Sequence, residues 1–309
     1  MLPEVLGIHA QPGDQIEPLT AGRLLTGWSL EPVLLAVILA VGAFYLYGVH
    51  RLRRRGDSWS RWRTISFCGV GLGSAVVATQ SALGAYDTVL ISVHMAQHMI
   101  LTMLTPLGCA MGAPVTLALR TLPGRPRKAL LAALHSRLAK VLCFPLVGFT
   151  LFVLSPWALY FSGWYDATLR NDLLHDLLHL HFVLVGALFF WPLLGLDPVP
   201  GRVIYPFRLI LIFLTLPFHA FLGITIMSAS SLIAEDWYTS FGRSWKPSPI
   251  DDQYLAGGLL WGAGDLVGLL FFAVLFVQWV QQSQREARRE DRRLDRLEEQ
   301  QRRAQSPPR

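Results

Sequence analysis

The chain has 309 residues, 52% hydrophobic and 16% charged, with a net charge of +6 and a mean hydropathy of +0.40. That composition excludes a disordered chain, which needs few apolar residues and many charges. It also argues against a soluble one, where roughly 25% of residues are charged. The pI of 9.5 does not point to nucleic acid, because the charges sit in short clusters between long uncharged runs, the pattern of a polytopic membrane protein.

Residues 1–29 form an N-terminal segment that lacks a basic stretch followed by an apolar one, so no cleaved signal peptide is expected. Seven apolar runs then approach the roughly 20 residues a helix needs to cross a bilayer: 32–50, 64–86, 88–119, 141–165, 177–196, 209–234 and 254–284. The last is interrupted only by Asp265. The third is too long for one simple helix, and Pro106 and Pro114 place its end near them, with the remainder at the interface. Residues 30–280 therefore read as an all-α membrane bundle of seven helices. Residues 281–309, rich in Arg, Glu and Gln, read as an exposed helical tail that can touch anionic lipid.

Lys and Arg in the loops set the orientation. Arg51 to Arg63, Arg120 to Lys140, Arg202 with Arg208, and the tail together hold 23 of the 27 basic residues. Arg23, Arg170, Arg243 and Lys246 are the four on the other side. The expected topology is N-terminus outside and C-terminus cytoplasmic. Asp87, Asp166, Asp172, Glu235, Asp236, Asp251 and Asp252 fall around the outer mouth. They read first as solvated loop charges, although they can also gather cations. The three cysteines, Cys68, Cys109 and Cys143, lie in apolar runs without a CxxC spacing, so neither a disulfide framework nor a thiolate pair is expected.

Six histidines fall within the runs or at their edges. Ionisable groups inside a bilayer are costly and usually face a protein interior. His94 and His98, and again His175 and His179, are four apart, which places each pair on one helical face about 6 Å apart. His219 follows Pro217 on the sixth run. All five sit at a similar depth in the outer half, so they are candidate metal ligands. His181 points away from its neighbours and ranks behind them. Met95, Met99 and Met103 recur every four residues. They read as ordinary packing, with soft thioether ligation as the alternative. Asp176 and Asp265 are candidate partners for imidazole N–H groups, and Asp265 suits helix–helix hydrogen bonding equally well. Gly257, Gly258, Gly262 and Gly264 favour close helix packing. Imidazole suits copper, iron, zinc or nickel, and no Walker A, GxGxxG or GxSxG motif supports other chemistry.

The run His94-Met95-Ala96-Gln97-His98-Met99-Ile100-Leu101, with Thr105-Pro106-Leu107 and Gly112-Ala113-Pro114, resembles the CtaG-like cytochrome c oxidase assembly factors. So do His175-Asp176-Leu177-Leu178-His179-Leu180-His181-Phe182, Trp191-Pro192-Leu193, Asp197-Pro198, the stretch Pro217 to Gly223, and Gly257-Gly258-Leu259-Leu260-Trp261. The resemblance spans roughly residues 30–280 and leaves out the first 25 residues and the tail. It implies a non-enzymatic multi-pass protein of a bacterial plasma membrane that helps copper reach a haem-copper oxidase, with oxidase subunits and membrane lipid as partners and no nucleic acid. The single-span copper chaperones that can share the label depend on a cysteine motif that this chain lacks. Three alternatives stand beside it. A membrane di-iron oxygenase uses similar histidine boxes, typically eight or more histidines on the cytoplasmic side. A bis-histidine haem protein needs opposed imidazoles. A zinc hydrolase needs three ligands and a bound water.

Overall fold

A computed structural model describes residues 9–305 apart from Gly13, Gln15 and Arg202. Expectations for residues 1–8 and 306–309, and the share of Arg202 in the charge asymmetry, lie outside the described residues.

Helix α1 (Pro32–Arg54) starts with a proline, whose missing N–H is no loss in a first turn. It ends on Arg51, Arg53 and Arg54, cations that suit the negative end of the helix dipole. Helix α2 (61–80) contains a π-helical stretch, Ile65–Leu72, and stops at Ser81, short of the expected residue 86. Helix α3 (91–111) is also interrupted by a π stretch, Ile100–Leu104. It ends at Gly112 and the left-handed Ala113, after which Pro114–Thr121 begins a short helix. The sequence placed this end correctly.

Helix α4 (Pro145–Tyr160), α5 (Asp172–Leu194), α6 (Tyr205–Ser228) and α7 (Pro249–Gln305) complete the bundle. Among the described residues no strand forms, only an isolated bridge between Trp28 and Ser81. Five helical runs are long and apolar enough to cross a membrane: Pro32–Arg54, Ile91–Thr121, Asp172–Leu194, Tyr205–Ser228 and Pro249–Glu298. α4 is apolar but only 16 residues long, and α2 carries Arg61 and Arg63 in its first turn.

The perimeter is apolar and exposed, with Val37 and Phe44 on α1, Phe213 and Phe221 on α6, and Leu266, Leu270 and Val274 on α7. A continuous belt of this kind matches lipid rather than water. α7 continues without a break into the charged tail, which is exposed from Gln281 to Glu298. At about 1.5 Å per residue its 57 residues extend about 85 Å.

Two close approaches hold the interior. Pro106 has no N–H for the carbonyl four residues earlier. That carbonyl, on Thr102, faces Gly186 of α5 so closely that a Cβ at Gly186 would overlap it. Where α6 crosses α7, a Cβ on Gly223 would lie 2.6 Å from the Gly257 carbonyl oxygen. Gly264 likewise faces the Met99 and His219 side chains. Gly258 and Gly262 instead face open space, so only part of the expected small-residue seam is a helix contact. The 3.6-residue period turns those two glycines away from α6.

Residues 9–31 pack across one end of the bundle. Ala10, Ile16 and Leu19 join Tyr86, Val89, Leu90 and Trp245 in an apolar cluster. Tyr86 donates to the Glu17 carbonyl at 2.9 Å, and the Trp245 indole donates to the Ile16 carbonyl at 3.0 Å. The basic loops lie at the opposite ends of the helices.

Candidate metal centre

The site is built around a carboxylate that the sequence placed among solvated loop charges. Asp87, just before α3, is fully buried. So is Asp252, whose carboxylate accepts from the Ile91 N–H at 2.6 Å and from the Ser92 hydroxyl. Both readings as solvated charges are corrected: each aspartate lies where loop and helix ends converge, out of reach of water. Asp166, by contrast, pairs with Arg170 at a surface position.

Four side chains converge on Asp87. His175 Nε2 lies 3.0 Å from its Oδ2, and His179 Nε2 lies 3.5 Å from the same oxygen. Gln97 donates to Oδ2 at 2.9 Å while its own Oε1 accepts from His179 Nε2 at 3.0 Å. His9 Nδ1 lies 3.4 Å from Oδ1. Helical spacing explains the set. His175 and His179 are one turn apart on α5, and Gln97 is one turn below Val93 on the facing side of α3.

Because His175 and His179 turn Nε2 toward acceptors, each neutral ring keeps its lone pair on Nδ1. Both Nδ1 atoms are buried without a hydrogen-bond partner, and so are both ring nitrogens of His94. The His94 ring lies 6.1 Å from that of His175 and 5.0 Å from that of Tyr165. Buried polar atoms are nearly always paired, so three neighbouring histidines with orphaned nitrogens form a donor set without an acceptor. Ligand atoms of His9, Asp87 and His175 all lie within 4.8 Å of one another. Imidazole nitrogens with a carboxylate and no thiolate suit copper(II), zinc or iron.

Outside the helices the electrostatics are one-sided. Burial would raise the Asp87 carboxyl, but His175 and His9 hold it well below the usual range. Burial opposes protonation of His9, yet Asp87 and then Glu31 more than offset this and raise it to about 9. Burial pushes Glu31 up to about 8, against the lowering effect of His9.

The other sequence-proposed residues lie elsewhere. His98, one turn below His94, stacks on Phe182 at 4.0 Å, and its Nδ1 lies 3.2 Å from the Tyr160 hydroxyl. That hydroxyl donates to the Met95 sulfur at 3.7 Å. His219 sits edge-on to Phe152 at 5.3 Å and beside Gly264 and Met99. The contacts around Asp87 therefore gather His9, His175 and His179, with His94 beside His175, while His98 and His219 occupy separate aromatic surroundings. His181 is exposed. Met95, Met99 and Met103 are buried in the main apolar core. Asp176 lies with His9 and Glu31, their ligand atoms within 4.8 Å of one another. Asp265 keeps Oδ1 buried without a hydrogen-bond partner.

Sequence reasoning missed His9, Glu31 and Gln97 and undervalued Asp87. Gln97 sits inside the His94–His98 box and was within reach. His9 and Glu31 carry no local signal.

A family model described as cytochrome c oxidase caa3 assembly factor (Caa3_CtaG) matches residues 43–282. The chain belongs to this family. It is 41% identical over 280 residues to a protein of Mycobacterium bovis, and equally to one of Mycobacterium tuberculosis. It is 36% identical over 279 residues to one of Mycobacterium leprae. All three carry the name uncharacterized protein. The matches cover 88% of this chain but 42% of each relative, so the chain spans about two fifths of their length. No solved structure matches it. His9 and Glu31 lie outside the family match; Asp87, His94, Gln97, His175 and His179 lie within it.

Proposed function

We propose that this chain takes up copper at the cluster of His94, His175, His179 and Asp87 and aids its delivery to a haem-copper oxidase, without catalysing a reaction. The observation that carries this reading is the buried trio of histidines with unpartnered nitrogens, in a member of an oxidase assembly family. His98 and His219 are the next imidazoles along α3 and α6 and would serve as inner donors. Copper is cargo here, so the site has to release it. Asp87 and Gln97 hold the Nε2–H groups of His175 and His179, so both Nδ1 lone pairs stay oriented as an ion arrives or leaves.

The topology we propose has seven crossings in a bacterial plasma membrane, with α2 and α4 as the two shorter ones and the His9 end outside. The loop charge asymmetry supports it. The partner is then an oxidase subunit that presents an unmetallated copper centre on that side.

A strain carrying His179→Ala in place of the native copy tests the metal reading. Oxidase copper and activity should fall by about tenfold or more, with subunit levels maintained. Full oxidase copper in that strain would sink the reading. Exposed Ser240, replaced by cysteine, should react with an impermeant maleimide from outside intact cells; labelling only after lysis would reverse the topology.

A further inference from the structure

We infer that His9, Glu31 and Asp176 form a second cation position, one step nearer the end of the bundle than the cluster of His94, His175 and His179. The inference rests on the metal reading of that inner cluster and adds a mouth to it.

The ligand atoms of His9, Glu31 and Asp176 lie within 4.8 Å of one another. They come from three separate elements: the N-terminal segment, the residue before α1, and the second turn of α5. Each is held in place. Glu31 N–H donates to Gln80 Oε1 at 2.9 Å. The chain beside His9 is tied by the Thr88 hydroxyl, which donates to the Ala10 carbonyl at 3.3 Å. Asp176 is fixed by helix α5.

Two observations point to a ligand. Glu31 is only 7% exposed, and its Oε2 has no hydrogen-bond partner. A buried carboxylate oxygen left bare is expensive, and a cation would satisfy it. The second is the orientation of His9, which is 5% exposed. Its Nδ1 faces Asp87 Oδ1 at 3.4 Å and its Nε2 faces Glu31 Oε1 at 3.6 Å. Asp87 lies on the Nδ1 side of His9, so Nε2 is the nitrogen turned toward Glu31, and a cation held there would take the place of its proton.

The donor set is one imidazole and two carboxylates. It neutralises a divalent ion and offers no soft sulfur, so it takes copper(II) or zinc(II) rather than copper(I). The His9 and His175 rings are 4.3 Å apart between centroids, so an ion held at the mouth lies beside the inner donors. Asp87 borders both positions. An ion can therefore pass inward by exchanging carboxylate and His9 ligands for His175 and His179, without crossing an apolar gap.

The test uses the full chain in detergent, dialysed to equilibrium against copper(II) ions alone, with metal analysis and electron paramagnetic resonance. The wild type should hold two equivalents that show dipolar coupling. Glu31→Gln and Asp176→Asn, in different elements, should each lose one equivalent and the coupling. His179→Ala should lose the other equivalent and keep the mouth ion. Thermal melts of the metal-free variants identify any that misfold, and the other mouth variant then decides. If both mouth variants retain two equivalents, or the wild type holds a single ion removed only by His179→Ala, the second position is wrong and the inner one stands. If His179→Ala retains two equivalents while the mouth variants lose one, the inner reading fails instead. A wild type that binds none overturns both.

Discussion

Two buried aspartates, one at each end of the bundle, show what distinguishes a binding site from a clamp. Asp197 is as fully buried as Asp87. Its oxygens accept from the Val115 and Thr116 N–H groups at 3.2 and 2.7 Å, from the Thr116 hydroxyl at 2.6 Å and from the Trp191 indole at 3.0 Å. It thus caps the start of the Pro114–Thr121 helix from a distant loop, where the helix dipole favours an anion. None of these four donors changes protonation near neutral pH or binds a metal. Asp87 is surrounded by three imidazoles and an amide, and imidazole does both. Burial is common to the two sites; the identity of the donors separates them.

Gly186→Val should break both ends at once. Any Cβ there overlaps the Thr102 carbonyl, so α3 and α5 must separate. A loss of about 3 kcal/mol or more is expected, the top of the range for overpacking, seen as a low unfolding midpoint in detergent. A wild-type melt would refute the close crossing.

Asp197→Ala should cost about 3 kcal/mol, because it strands several buried donors, yet leave copper uptake per folded molecule unchanged. Asp87→Asn should show the reverse pattern. It loses about 10- to 100-fold in metal affinity, as changes to a group that orients ligand imidazoles do, with a smaller shift in the melt. Paired melts and dialysis on the two variants measure both. Equal losses of metal from both would erase the contrast.

His94→Phe sharpens the point. The ring sits among Tyr160, Tyr165 and Phe182 with neither nitrogen paired. Replacing it with an apolar ring should stabilise the metal-free protein by about 1 kcal/mol while lowering copper uptake. A destabilised variant would mean that His94 has a structural partner after all.

The smallest effect concerns pH. His9 is raised from its ordinary value to about 9 in the fold. Its pairing with Asp87 is therefore complete below about 6.5 and is lost as pH rises through about 9. The groups around it are Asp87, Glu31, Asp172, Asp176, His175 and His179. Spin labels at Pro12 and Ser240 should show the N-terminal segment loosening over that upper range, and no change between pH 5 and 6.

The helical runs were legible because a bilayer imposes one length and one polarity on every crossing. The end of α3 was legible from Gly112, Ala113 and Pro114. The His175–His179 pair was also legible, since i,i+4 spacing fixes a shared face. The placement of His98 and His219 was not. Depth along a helix can be counted from the sequence, but the rotation of one helix against another depends on contacts such as Gly186 against Thr102. Asp87 was misread for a related reason. Whether a charge beside a helix start meets water depends on what covers it, and residues 9–31 do so from far away in the chain.

The sequence by itself therefore determined the membrane-type composition, the clustering of basic residues in alternate loops, the family motifs and the histidine-bearing helices. These depend on local composition and on the 3.6-residue period. Only the tertiary structure decided which histidines meet, that Asp87 joins them, and that His9 and Glu31 reach the same end. Those are contacts between residues far apart in the chain, 88 positions for His175 and Asp87 and more for His9 and His175. No local rule sets such distances; helix crossing and chain return do.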